Sequence, residues 1–156
     1  MTSTQAYCSA AVRRAGTEDW IPVALYVHNT YTNAGRDKAH SDGYTNVTTG
    51  THGANYVAVS ADTGAPAAGD TTLTGEIDNT NGLGRALSDT HSHSNGTNTS
   101  SIVHTWTATG AVADIHKAAL FNASSSGTMS HAAVFSSDVT LATNDQLQVT
   151  FTITLG

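Results

Sequence analysis

The sequence predicts an all-β fold, an antiparallel β-sandwich with a jelly-roll-like character, and three observations carry that prediction. The segment Gln146–Leu155 alternates Leu147, Val149, Phe151, Ile153 and Leu155 against Gln148, Thr150, Thr152 and Thr154 without a break. Successive side chains of a strand point to opposite faces, so this stretch has one apolar and one hydroxyl-rich face. From Tyr56 onward, strand-forming runs recur about every dozen residues, divided by clusters of Asn, Gly, Ser and Asp. The composition agrees. Only 12% of the 156 residues are charged, and small polar residues abound, which fits short strands and many turns and not a disordered chain of high net charge.

Taken in order, residues 1–19 are small and polar with one apolar cluster at Ala10–Val12, and read as a flexible N-terminal arm preceding a sandwich domain over 20–156. Trp20–Asn29 is the first strong strand, with Pro22 delaying its pairing and Val23, Leu25 and Val27 expected on one face, Ala24, Tyr26 and His28 on the other. Thr32 or Asn33 is placed to cap a helical turn across Gly35–Ala39. Tyr56–Ser60 is a short strand, and Ala65–Asp70 and 78–84 are turn-rich connectors. Arg85–Ser88 starts a strand that runs into His93, and Ser94–Thr99 is a hairpin tip around Asn95-Gly96. Ser101–Thr109, Ile115–Asn122 and Met129–Phe135 are further strands. A connector then leads through the Asn144-Asp145 turn into the final strand.

The formal net charge of −6, with six Lys and Arg in all, argues against nucleic acid as the main partner, because phosphate recognition needs clustered cations. No apolar stretch is long enough to span a membrane, and the opening residues do not read as a secretory signal, so synthesis in a cytoplasm is expected. The single cysteine, Cys8, permits no intrachain disulfide and no cysteine zinc site.

Motifs for a nucleophile elbow, a phosphate loop or a zinc protease are absent, so no catalytic residue and no cofactor is assigned. Glu18-Asp19 is adjacent rather than opposed, and no second carboxylate pair accompanies it. His91 and His93 are the sharpest constellation of the eight histidines: i and i+2 on a strand share a face and could meet one metal ion, and three copies would offer six nitrogens. Placement of both rings beside solvent at a hairpin tip is the preferred reading. His104 and His131 fall within strands, where a neighbouring hydroxyl or carbonyl would satisfy them. Trp106 and Tyr56 lie in apolar strand contexts and read as core rather than as a sugar platform.

Four stretches carry a resemblance: His28–His40 (HNTYTNAGRDKAH), Ala54–Ile77, Asn81–Ala86 (NGLGRA) and Ile115–Gly156. Their order of strand, Ala-Gly-Arg-Asp turn, Tyr-Val-Ala-Val strand, Arg-Ala strand, Lys-Ala-x-Leu-Phe and closing amphipathic strand resembles small β-rich virion structural proteins of tailed bacteriophages. The resemblance spans about residues 28–156 and leaves the first 27 residues outside it. It implies a subunit that binds other virion proteins, as a capsid cement or decoration protein binds major capsid subunits, and a closed homo-oligomer, a trimer, that would protect sheet edges. Arg13 and Arg14 on the arm, with Arg36, Asp37 and Lys38 on the charged turn, are the expected partner contacts. Removal of residues 1–19 is then expected to weaken shell binding and leave the fold intact. The alternative is a tail, neck or fibre component with host-glycan contacts around Asp89–Thr99. A free-standing carbohydrate-binding module or hydrolase is disfavoured by the missing signal and motifs.

Overall fold

The computed structural model describes residues 5–35, 53–93 and 99–154. The strands are β1 (Gln5–Arg13), β2 (Trp20–His28), β3 (Thr30–Tyr31), β4 (Tyr56–Ser60), β5 (Ala86–Leu87), β6 (Thr90–His93), β7 (Thr99–Thr107), β8 (Val112–Phe121), β9 (Met129–Leu141) and β10 (Gln146–Thr154). They build two five-stranded sheets, sheet 1 in the order β2-β1-β10-β7-β6 and sheet 2 in the order β3-β9-β8-β4-β5. Every pairing is antiparallel, and the sheets face each other across one apolar interior. The antiparallel sandwich read from the sequence is the fold the chain adopts.

Sheet 1 is organised by β10, whose alternation sends Leu147, Val149 and Phe151 inward with no solvent exposure. Its two edges are paired along its whole length, by β1 from Gln5↔Thr154 to Arg13↔Gln146 and by β7 from Gln146↔Thr107 to Thr154↔Thr99. A strand with both edges satisfied leaves no backbone donor or acceptor stranded, which is what a buried strand requires.

The flexible arm expected over residues 1–19 is corrected by this arrangement. Gln5–Arg13 is an interior strand, held between β2 and β10, and Ala6, Cys8, Ala10 and Val12 are buried in alternation. Ala and Cys bury little surface each, so their alternation is a weak signal in sequence, yet small side chains are what close packing against β10 permits. Burial raises the Cys8 thiol far above its ordinary range, so it is an inert part of the core. Gly16, with φ of 77°, turns the chain from β1 into β2.

In sheet 2, β8 and β9 form a hairpin whose register slips between Lys117↔Val134 and Ile115↔Val139. The surplus β9 residues bulge towards sheet 1, and the hydroxyls of Ser136 and Ser137 both donate to the Val23 carbonyl of β2 at 3.0 Å. One flank of the sandwich is thereby closed. The connector expected after Phe135 is instead the continuation of β9 through this bulge. The strand expected from Arg85 to His93 is two strands on different sheets, because the chain crosses at Ser88–Asp89.

A second apolar cluster lies on the outer face of sheet 2, where Ala58, Ala119, Phe121, Met129 and Ala132 are covered by Leu73 from the segment between β4 and β5. Lys117 lies under that segment too, 5% exposed, and donates to the Asp62 carboxylate and, at 2.9 Å, to the Gly64 carbonyl. The Lys117 hydrogen bond is the main reason the Asp62 carboxyl is held below its ordinary value. A buried ammonium needs such partners to offset its lost hydration.

Thr32 acts as the helix cap the sequence indicated: its hydroxyl accepts from the Gly35 N–H at 3.0 Å and donates to the Met129 carbonyl at 2.5 Å. The rest of that turn lies outside the described residues.

Candidate interaction surface

The outer strand β2 displays three of the four large apolar side chains that are exposed among the described residues: Ile21 at 51%, Leu25 at 62% and Tyr26 at 71%. The cause is local. The β1–β2 register shifts twice, between Cys8/Ala10 and Ala10/Ala11, so β2 carries extra residues opposite β1. Such bulges break the strict in-out alternation of a strand. Val23, Ala24 and Val27 all pack on the core, while Leu25 and Tyr26 project together to solvent. The face assignment made from simple alternation, Leu25 with Val23 and Val27, is overturned for this reason.

Tyr26 adopts φ of 48°, a left-handed conformation that is unfavourable for a bulky side chain. Its N–H is accepted by the side-chain hydroxyl of Ser9 on the neighbouring strand β1 at 3.0 Å. The Val23 carbonyl is taken by the Ser136 and Ser137 hydroxyls of β9, so the outer edge of β2 is not open along its whole length to a further strand. What β2 offers is therefore a side-chain surface and not a backbone template.

The expected contact residues Arg13 and Arg14 are engaged within the chain. Arg13 donates to Gln146 Oε1 at 2.5 Å, lies 3.8 Å from Glu18, and stacks over the Trp20 ring at 5.3 Å. Arg14 donates to Asp145 Oδ2 at 2.6 Å and the Thr140 carbonyl at 2.7 Å. Asp145 also accepts from the Ala15 and Ala142 N–H groups at 2.8 and 2.9 Å. Burial would raise the Asp145 carboxyl, but these hydrogen bonds outweigh it and hold the group below its ordinary value. Arg36, Asp37 and Lys38 lie outside the described residues.

On the opposite flank the sheets part to leave a groove of about 700 Å³ between the β5 approach and β7. Its floor is knitted by the NGLGRA segment. Gly82 takes φ of 78°, and a Cβ there would stand 2.9 Å from the Thr107 carbonyl oxygen, so only glycine fits. Trp106, buried as expected, donates Nε1–H to the Gly84 carbonyl at 2.9 Å. Arg85 binds Glu76 through two nitrogens at 2.9 and 2.6 Å, donates to the Ala123 and Ser126 carbonyls, and lies 3.4 Å over the Phe121 ring. Such a multiply held guanidinium is a structural fastener.

His104 lines the groove and meets the Asp89 carboxylate at 2.9 Å, not the hydroxyl or carbonyl expected for it; Asp89 accepts from the Thr105 N–H at 2.7 Å as well. His116 pairs likewise with Asp138 at 2.5 Å. His91 and His93 are exposed on β6, and His93 Nδ1 lies 3.0 Å from the Thr99 carbonyl. No group of three or more metal-binding side chains converges among the described residues. His131 is buried against Ser130 Oγ at 3.0 Å and stacks on Tyr31 with ring centroids 4.5 Å apart.

No protein-family model matches the chain, and no curated protein matches it.

Proposed function

We propose that this chain is a virion structural protein, a capsid cement or decoration subunit that stabilises the shell by binding major capsid subunits and acts as a closed homotrimer. The observation that carries the reading is the β2 surface, where Leu25 and Tyr26 are held out to solvent by a bulged, left-handed backbone. Apolar side chains held out to solvent side by side favour a contact surface, and tyrosine is among the residues that anchor such surfaces. The segments that resemble phage virion proteins support the reading in a second way. Asn81–Ala86, Ala54–Ile77 and Ile115–Gly156 supply the fasteners of the sandwich, Arg85 on Phe121 and Lys117 on Asp62. Adhesion would run through apolar and hydroxyl-rich contacts, with assembly following synthesis in the host cytoplasm.

Cryo-electron microscopy of particles carrying the protein is the test. Density repeated over the whole shell, three chains to a site, is the expected result; density confined to neck or tail defeats the cement role. The groove beside Asp89 and His104 favours one second reading, a tail or fibre component that holds a host glycan there. That reading expects few copies per particle and glycan binding by the isolated chain.

A further inference from the structure

The groove between the β5 approach and β7 holds about 700 Å³, inside the range of about 300–1,000 Å³ that small-molecule sites occupy. Its hydrogen-bonding groups are not all spent. Asp89 takes the Thr105 N–H on Oδ2 and faces His104 Nδ1 with Oδ1 at 2.9 Å. A carboxylate only accepts, so the neutral ring carries its proton on Nδ1 and keeps a bare lone pair on Nε2. The ring also stands edge-on to Trp106, with centroids 4.5 Å apart, which fixes its direction. Among the described residues nothing hydrogen-bonds Nε2, and His104 lines the groove. Asp78 and Asn79 line it too, from the loop between β4 and β5. Asp78 Oδ1 accepts the Thr80 N–H at 2.9 Å, and the hydrogen bonds to Thr80 hold this carboxyl below its ordinary value. Its Oδ2 and the Asn79 side-chain amide have no partner among the described residues. We infer that the groove binds a neutral, hydroxyl-rich sugar, whose hydroxyls donate to His104 Nε2 and Asp78 Oδ2 and pair with the Asn79 amide. The inference rests on the glycan reading of the groove given above and names the class of glycan.

The balance of donors and acceptors selects this ligand. Nε2 and Oδ2 only accept, so the ligand has to bring donors. A sugar hydroxyl both donates and accepts, and two adjacent hydroxyls match the adjacent carboxylate of Asp78 and amide of Asn79. Charge decides which sugar. Glu76 and Asp78 line the groove and Asp89 stands behind His104, whereas Arg85, the one Lys or Arg in the lining, is committed to Glu76 and to the Ala123 and Ser126 carbonyls. A sialylated or phosphorylated ligand would meet these carboxylates with no cation free to answer its charge. The rest of the lining suits a pyranose ring. Ile77 is apolar, and Gly82 and Gly84 carry no side chain, so the C–H face of a sugar can come close to the wall.

The test is a heteronuclear NMR titration of the purified full chain with lactose, maltotriose, mannotriose and triacetylchitotriose. Sialyllactose serves as the charged counterpart of lactose, and spermidine as an amine without hydroxyls. At least one neutral sugar should shift the amide resonances of Asp78, Asn79 and Thr105 and saturate with a Kd of about 1 mM, ordinary for a few hydrogen bonds in an open groove. Sialyllactose should bind no better than lactose, and spermidine should leave these amides in place. Asp78→Asn keeps the oxygen that serves Thr80 and turns the free acceptor into a donor. His104→Phe keeps an aromatic edge on Trp106 and removes the lone pair. Each variant should weaken the sugar about tenfold, with resonances away from the groove unchanged. If His104→Phe fails to fold, Asp78→Asn, at an exposed side chain, decides the matter. The inference is overturned if none of the neutral sugars moves these amides, if sialyllactose or spermidine binds more tightly than all of them, or if Asp78→Asn leaves the affinity unchanged. Location is read separately, by particle imaging. A chain that binds neutral sugar yet covers the whole shell fails only the tail placement, and a tail-located chain that binds sialyllactose alone keeps the glycan reading and fails only this one.

Discussion

Arg14 Nη1 stands 2.6 Å from Asp145 Oδ2, across 131 residues of sequence, and this contact pins the end of β1 to the turn between β9 and β10. Asp145 is 2% exposed and takes two backbone N–H donors besides, so it cannot exchange its partners for water. Asp145→Ala should therefore cost about 3–4 kcal/mol in urea unfolding, from the orphaned donors it leaves. Arg14→Ala, at a side chain 47% exposed, should cost only about 1 kcal/mol. Equal losses for the two would contradict this account.

Deletion of residues 1–13 should abolish folding, in place of the intact domain that the arm reading expects. Without β1, the edge of β10 and the inner faces of Phe151 and Val149 lose their cover. A deleted chain that still melts cooperatively would show that β1 is dispensable.

Stability should fall as pH drops from 6.5 towards 4, through His131. Burial lowers its pKa to about 4 from an unfolded value of 6.5. The unfolded chain thus binds the proton first, and stability present at pH 7 is lost on acidification through this window, by ~3 kcal/mol at full protonation. The depressed carboxyls of Asp62, Asp78 and Asp145 act in the same direction but below their unfolded value of 3.8. His131→Phe, which keeps a ring on Tyr31, should flatten the curve between pH 4 and 6.5; an unchanged slope would locate the titration elsewhere.

Lys117→Ala should loosen residues 61–75, raising their amide exchange, at a cost of about 2–3 kcal/mol, whereas Lys117→Met should cost under about 1 kcal/mol. The methionine refills the space beneath Leu73 while Asp62, a third exposed, rehydrates. Similar losses for both variants would mean that charge, and not volume, holds the segment down.

Tyr26→Asn should raise stability by ~1 kcal/mol in urea unfolding, since asparagine tolerates the left-handed conformation better. A less stable variant would show that the left-handed backbone of Tyr26 carries no strain that asparagine relieves.

The strands with large β-branched or aromatic residues were legible in the sequence, β10 most of all, because their alternation is strong and their register unbroken. β1 was not, since Ala6, Cys8 and Ala10 give the same alternation with side chains too small to stand out. The bulges of β2 and β9 shift the phase of the pattern, so Leu25 and Tyr26 could not be seen to share solvent and the second half of β9 read as a connector. Asp89 and His104 met for a reason no local pattern holds: they are neighbours only through the pairing of β6 with β7.

The place of β10 between β1 and β7 also governs how the chain can be made. The strand that joins the two halves of sheet 1 leaves the ribosome after all the other strands described. Until it does, the edges of β1 and β7 that β10 will occupy have no strand beside them, and every contact that β10 makes with β1 closes a loop of well over a hundred residues. Sheet 1 is thus assembled only after β10 has emerged, in one late step, and the nascent chain carries its unfinished core exposed to chaperones throughout elongation.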